Sequence, residues 1–178
     1  MTANFQKFRV ILLVVFITMA VLVFALPAGA ATIDISVNGS IRNWVLTPGS
    51  TNENSTAVTL NVSCDGSSWT VSVMDNLDDG KNSTSAGRML EYNATTNNWI
   101  DTGSILKANL TVEGGTAVNV TGSQVTLGPI DQVIGTGYGT VDKTRIPVTI
   151  SQHISPTDIH LTNGDVYRAV ITFVGVAS

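Results

Sequence analysis

The chain has one cysteine and two histidines, so it is poor in the residues that most often staple or ligate a fold. With Cys64 alone, no intramolecular disulfide can form, and the core must hold the structure unaided. His153 and His160 cannot supply the three or four ligands a zinc site needs at recognisable spacing. No G-x-S-x-G frame presents a nucleophile, so both histidines read as surface residues. Glu91 and Asp101 could be offered as paired acids, but nothing in their spacing singles them out. The chain is therefore expected not to be an enzyme and to take no cofactor and no metal. The acidic stretch Asp75–Asn82 invites a calcium reading. However, Leu77 stands where an EF-hand loop needs an oxygen ligand and no Glu closes the loop, so it reads as a solvated loop.

Basic charge is scarce beyond the N-terminus. After residue 30, seven basic residues face thirteen acidic ones, a net charge of −6. That balance excludes nucleic acid, whose phosphates demand a basic face, and docking on anionic lipid. Long apolar runs are missing except at Val10–Leu26, which Lys7 and Arg9 precede and Pro27 and Ala28-Gly29-Ala30 follow. A basic start, an apolar run and a small-residue site describe a secretory signal peptide. Cleavage is expected after Ala30, leaving residues 31–178 as one secreted or cell-surface domain, with no membrane segment after cleavage. A retained anchor is the competing reading, for which the run is a little short of the ~20 residues of a comfortable span.

Helical periodicity is also absent. No stretch after residue 30 keeps an apolar 3.6-residue repeat through three turns, so helix content should be near nil. The repeat that does occur has period two. Val58, Leu60, Val62 and Cys64 alternate with polar residues, and so do Trp69, Val71 and Val73. Alternation places one set of side chains on a buried face, and Cys64 falls in that set as a small buried hydrophobe. The Asp65-Gly66 turn between the runs predicts a hairpin pairing Cys64 with Trp69, Val62 with Val71 and Leu60 with Val73. Similar alternation marks Ile33–Val37, Leu106–Val112, Val118–Val120 and Ile146–Ile150. Pro147 predicts an edge position or a bulge for the last of these. Residues 166–176, apolar on both parities near their end, predict a central strand. Residues 76–88 and 128–143 read as loops, including Gly135–Thr140, whose glycines resemble a phosphate loop only superficially because no helix follows. Short strands between Gly- and Asn-rich turns predict an all-β antiparallel sandwich or barrel.

Seven of the thirteen asparagines after residue 30 sit in N-x-S/T sequons: Asn38, Asn54, Asn61, Asn82, Asn93, Asn109 and Asn119. Asn61, Asn109 and Asn119 fall on outward positions of expected strands, which suits a glycosylated surface protein. Trp99, Tyr92 and Tyr138, with Trp44, could stack on sugar rings.

The segment Ser67–Asp75, with Trp69 and Val71, resembles the first signature of WxL-type cell-surface domains, Val standing for the usual Leu. The segment Gly164–Val176 resembles the closing strand of that family, through Tyr167 and Phe173, with Phe in place of Trp and Gly175 at the aliphatic position. The resemblance spans about 57–176. It implies a secreted, prokaryotic, immunoglobulin-like sandwich at the cell envelope, with adhesion to wall polymer, surface layer, glycan or another surface protein. WxL domains themselves hold peptidoglycan without a covalent link. The alternative is a structural subunit of a surface filament, a homo-oligomer assembled by strand addition through residues 32–39.

Overall fold

The computed structural model describes residues 30–77, 80–161 and 164–178; residues 1–29 of the expected signal peptide lie outside them. In chain order the strands are β1 (Ile33–Gly39), β2 (Thr51–Cys64), β3 (Ser68–Asp75), β4 (Leu90–Asn93), β5 (Asn98–Trp99) and β6 (Thr111–Gly114). They continue with β7 (Val120–Gly122), β8 (Gln124–Thr126), β9 (Gln132–Tyr138), β10 (Val141–His153), β11 (Val166–Arg168) and β12 (Ile171–Ala177). Among the described residues the only helical turn is a 3-10 turn at Ser83–Ser85. A five-stranded sheet runs β1-β2-β10-β6-β8, a four-stranded sheet β12-β3-β9-β7, and a small sheet β11-β4-β5. Every pairing is antiparallel.

The period-two faces of β2, β3 and β10 are buried as read, while in β1 Ile33 and Ile35 are part-buried and Val37 is exposed. Leu60, Val62, Ile146, Val148 and Val112 of the larger sheet share one core with Trp69, Val71, Val73 and Ile134 of the other. The hairpin, however, is not formed. β2 pairs with β1 and β10, while β3 pairs with β12 and β9. The Asp65-Gly66 turn carries the chain from one sheet to the other, and the two apolar faces meet across the core rather than side by side. Cys64 is buried there, its Sγ accepting from Gly66 N (3.3 Å).

Four other expectations are corrected. β10 is central, not an edge, and Pro147 is tolerated because its carbonyl side faces Gly115 N (2.7 Å), just past the end of β6. Its missing N–H points the same way, where no ladder partner is needed. The irregularity next to Pro147 lies in the partner strand instead: Val148 pairs with Val58 but Ile150 with Asn54, so β2 carries the extra residues, while β10's own extra residue lies between Val141 and Thr144. The run 166–176 is divided between β11 and β12, and β12 is an edge strand. Its Gly175 faces inward under β1, and a Cβ there would stand 2.6 Å from Ile35 Cδ1.

Residues 128–143 are not irregular but supply β9 and the start of β10. Gly137 pairs with Trp69, and the indole ring occupies the space a side chain would need. A glycine-rich segment that reads as a loop is thus a strand thinned to admit a tryptophan. Finally, the expected strand at Leu106–Val112 begins only at Thr111, and Val118 is exposed in a turn before β7. β1 pairs along its whole length with β2 of its own chain, from Ile33↔Cys64 to Gly39↔Val58.

Candidate functional site

The inward positions of β3 are Trp69, Val71, Val73 and then Asp75, so the apolar face ends on a carboxylate. A buried carboxylate must be compensated, and Lys81 does this. Its Nζ lies 2.5 Å from Asp75 Oδ2 and 2.5 Å from Arg88 O, with both side chains of the pair fully buried. Gly87 N also donates to Asp75 Oδ2 (2.6 Å). This pair ties residues 80–88 to the end of β3, and Lys81 Nζ comes to 6.0 Å from the Trp99 ring. Gly80, with φ of +90°, passes beside the same ring.

Trp99 is set by the β4–β5 hairpin. Asn93 Oδ1 accepts from Thr95 N (3.0 Å) and Thr96 N (2.9 Å), and Asn97 takes φ of +56° to close the turn. Asparagine tolerates this conformation better than most residues. The register then places Tyr92 opposite Trp99. The rings meet edge to face, 5.1 Å between centroids at 73°, the arrangement favoured by ring quadrupoles. Tyr92 O–H donates to Asn97 Oδ1 (3.4 Å).

β11 brings in a residue the sequence did not announce. Its pairing with β4 lays the Arg168 guanidinium 4.4 Å from the Tyr92 centroid and 5.3 Å from that of Trp99. The pairing of a cation with ring faces is itself attractive. Gly80, Tyr92, Asn97, Asn98, Trp99, Asp101 and Arg168 line an open cavity of about 530 Å³. The cavity combines aromatic surface with amide, carboxylate and guanidinium groups, which together accept from and donate to hydroxyls.

Of the four aromatics named from the sequence, the structure brings Tyr92 and Trp99 together. Tyr138 is exposed at the end of β9 and does not line this cavity. Trp44 packs against the main core and lines a larger apolar groove of about 880 Å³ beside β1 and β12. The residues of the family resemblance are structural. Trp69 and Val71 are buried, Phe173 packs on the core, and Tyr167 O–H donates to Ile159 O (2.7 Å). Burial pushes the Tyr167 phenol above its usual pKa.

Asp75 is committed to Lys81 and Gly87, while Asp78 and Asp79 lie outside the described residues. Glu91 Oε2 accepts from Ser104 N (2.7 Å). His153 and His160 are exposed. Of the three sequons expected on outward strand positions, only Asn61 is in a strand; Asn109 precedes β6 and Asn119 occupies a turn with φ of +60°. Comparison with family models, with curated proteins and with solved structures returns no match, so the functional reading rests on this geometry.

Proposed function

We propose that the mature chain is a secreted, non-catalytic, immunoglobulin-like protein of the cell envelope or surface, and that it binds wall polymer, surface layer or glycan through the Tyr92–Trp99–Arg168 cavity. The observation that carries this reading is the edge-to-face ring pair with a guanidinium laid over it, rimmed by Asn97, Asn98 and Asp101. Apolar ring surface and hydroxyl-matching polar groups in one place suit a sugar, whose faces are apolar and whose edges are hydroxyls. The WxL resemblance makes peptidoglycan one polymer to include.

The test is co-sedimentation of the mature chain with purified envelope polymers, followed by titration with the polymer that retains it. Trp99→Ala should weaken binding about tenfold, on the order of 1.4 kcal/mol, while Tyr138→Ala should leave it unchanged. A chain left wholly in the supernatant with every polymer refutes the proposal.

A second reading, a filament subunit, draws on β1 being an edge strand next to the predicted cleavage site. Size-exclusion at high concentration discriminates: a clean monomer counts against it.

A further inference from the structure

The seven sequons are not equivalent in this fold. N-linkage joins a sugar to the side-chain amide nitrogen. A usable asparagine must therefore keep Nδ2 clear, and its backbone must be able to enter an enzyme cleft. Asn109 fails the first condition. Its Nδ2 donates to Leu127 O (3.0 Å), and a Cβ on the neighbouring Gly87 would already stand 2.5 Å from that nitrogen. Asn61 fails the second, being mid-β2 with Ser36 of β1 on one side and Arg145 of β10 on the other. Asn38 is ladder-paired with Thr59, and Thr56, the hydroxyl residue of the Asn54 sequon, lies within β2.

Asn82 and Asn93 differ from these. Asn82 Oδ1 accepts from Thr84 N (2.9 Å) and Thr84 Oγ1 (3.0 Å) at the head of the 3-10 turn. Asn93, the last residue of β4 and paired only with Asn98 at the hairpin end, has Oδ1 accepting from Thr95 N and Thr96 N of the turn. In both, the oxygen is committed to the turn, so the nitrogen of the same planar amide is turned away from it. In both, the threonine two residues on belongs to that turn and not to a sheet. Neither nitrogen has a hydrogen-bond partner among the described residues.

We propose that the chain carries N-linked glycans on Nδ2 of Asn82 and Asn93, while Asn61 and Asn109 stay bare. The donor is a polyprenyl-phosphate-linked glycan and the catalyst an oligosaccharide transferase. Nδ2 attacks the anomeric carbon, and an N–C bond forms as the C–O bond to phosphate breaks. The lipid phosphate leaves with the bonding pair, and a base of the transferase takes the amide proton. Both sites lie close in sequence to residues that line the aromatic cavity, Asn82 two residues after Gly80 and Asn93 next to Tyr92. The proposal does not depend on what the cavity binds.

The test is glycopeptide mapping of the chain recovered from the cells that make it, alongside Thr84→Ala and Thr95→Ala variants expressed in the same cells. Each variant keeps its asparagine and removes the sequon hydroxyl together with the threonine methyl. Glycan on Asn82 and Asn93, each lost in its own threonine variant, with Asn61 and Asn109 unmodified, is the expected result. A bare amide at either Asn82 or Asn93 in the parent chain, or sugar on Asn61 or Asn109, overturns it.

Discussion

Replacing Lys81 with methionine keeps most of the side-chain volume and removes the charge. At 2.5 Å separation, an effective dielectric of ~20 gives a Coulomb attraction of roughly 6–7 kcal/mol. Desolvating two ions costs several kcal/mol each, so the intact pair contributes little net stability. The single variant is a different case, because it leaves the Asp75 carboxylate buried with only Gly87 N for a partner. Removing one member of a buried pair costs about 3–5 kcal/mol. For a domain of this size each kcal/mol lowers Tm by roughly 2–4 °C, so Lys81→Met should melt roughly 6–20 °C below the parent.

The double variant Asp75→Leu with Lys81→Met removes both charges and leaves Gly87 N and Arg88 O without these partners. It should cost less than the two single variants added together, giving a coupling energy that favours the pair. Urea melts of the four chains of this cycle, followed by circular dichroism, measure it. A Lys81→Met cost under about 1 kcal/mol, the range of exposed pairs, would falsify the burial of this ion pair and its role in fixing residues 80–88 under Trp99.

Three further outcomes follow from the same contacts. Gly137→Ala forces a methyl into the Trp69 ring and should cost about 1–3 kcal/mol in urea melts, whereas Gly139→Ala meets no neighbouring atom and is limited to the strain of its φ of +75°. Trp69→Ala empties the middle of the core and should cost about 3–5 kcal/mol; a cost under about 1 kcal/mol in the same melts would refute the placement of the ring. Thr32 N and Oγ1 hold the Asp65 carboxylate (2.6 and 2.9 Å) and depress its pKa. A depressed carboxylate adds stability above its unfolded pKa of about 3.9 and loses it as pH falls through the lower folded value. Amide exchange at Thr32 and Asp65 should therefore quicken, relative to β3, only below about pH 4; acceleration near neutral pH would refute the tie.

Much of the fold was legible because period two survives burial: Leu60, Val62, Trp69, Val71, Ile146 and Val148 are all inside. What alternation cannot encode is which sheet a strand joins. Val62 and Val71 present inward faces whether they are neighbours in one sheet or opposed across a core, so the same pattern supports both a hairpin and a crossing. β9 was hidden for a related reason. Gly135 and Gly137 carry no side chains to alternate, and the signal for that strand sits in its partner, Trp69, which needs the room. In the site, Tyr92 and Trp99 could be named as aromatic residues beside a turn. Arg168 could not, because its place over Tyr92 depends on β11 pairing with β4, Arg168 lying opposite Leu90 far away in sequence. Lys81 left a trace that reading could have used. Asp75 continues the buried parity of β3, and a carboxylate at a core position calls for a nearby cation.

The path by which β1 could join copies of this chain is narrower than open-ended strand addition. Residues 33–39 are already paired throughout with β2, and Ile33 and Ile35 fill the space that Gly175 leaves. A neighbour's β1 cannot occupy that place while the resident strand is there. Donation of β1 into a neighbour's sheet therefore has to be an exchange, with each copy giving up its own strand and accepting an identical one. Such a swap conserves the contacts, so its equilibrium is set by concentration and by the freedom of the hinge. Residues 40–50 form that hinge, and the Thr32–Asp65 tie latches the far end. Oligomers of the mature chain should hence grow with concentration and with acid below about pH 4, and should vanish when a disulfide pins β1 to β2. A pinned chain that still assembles, seen by light scattering, would remove β1 from any account of a filament.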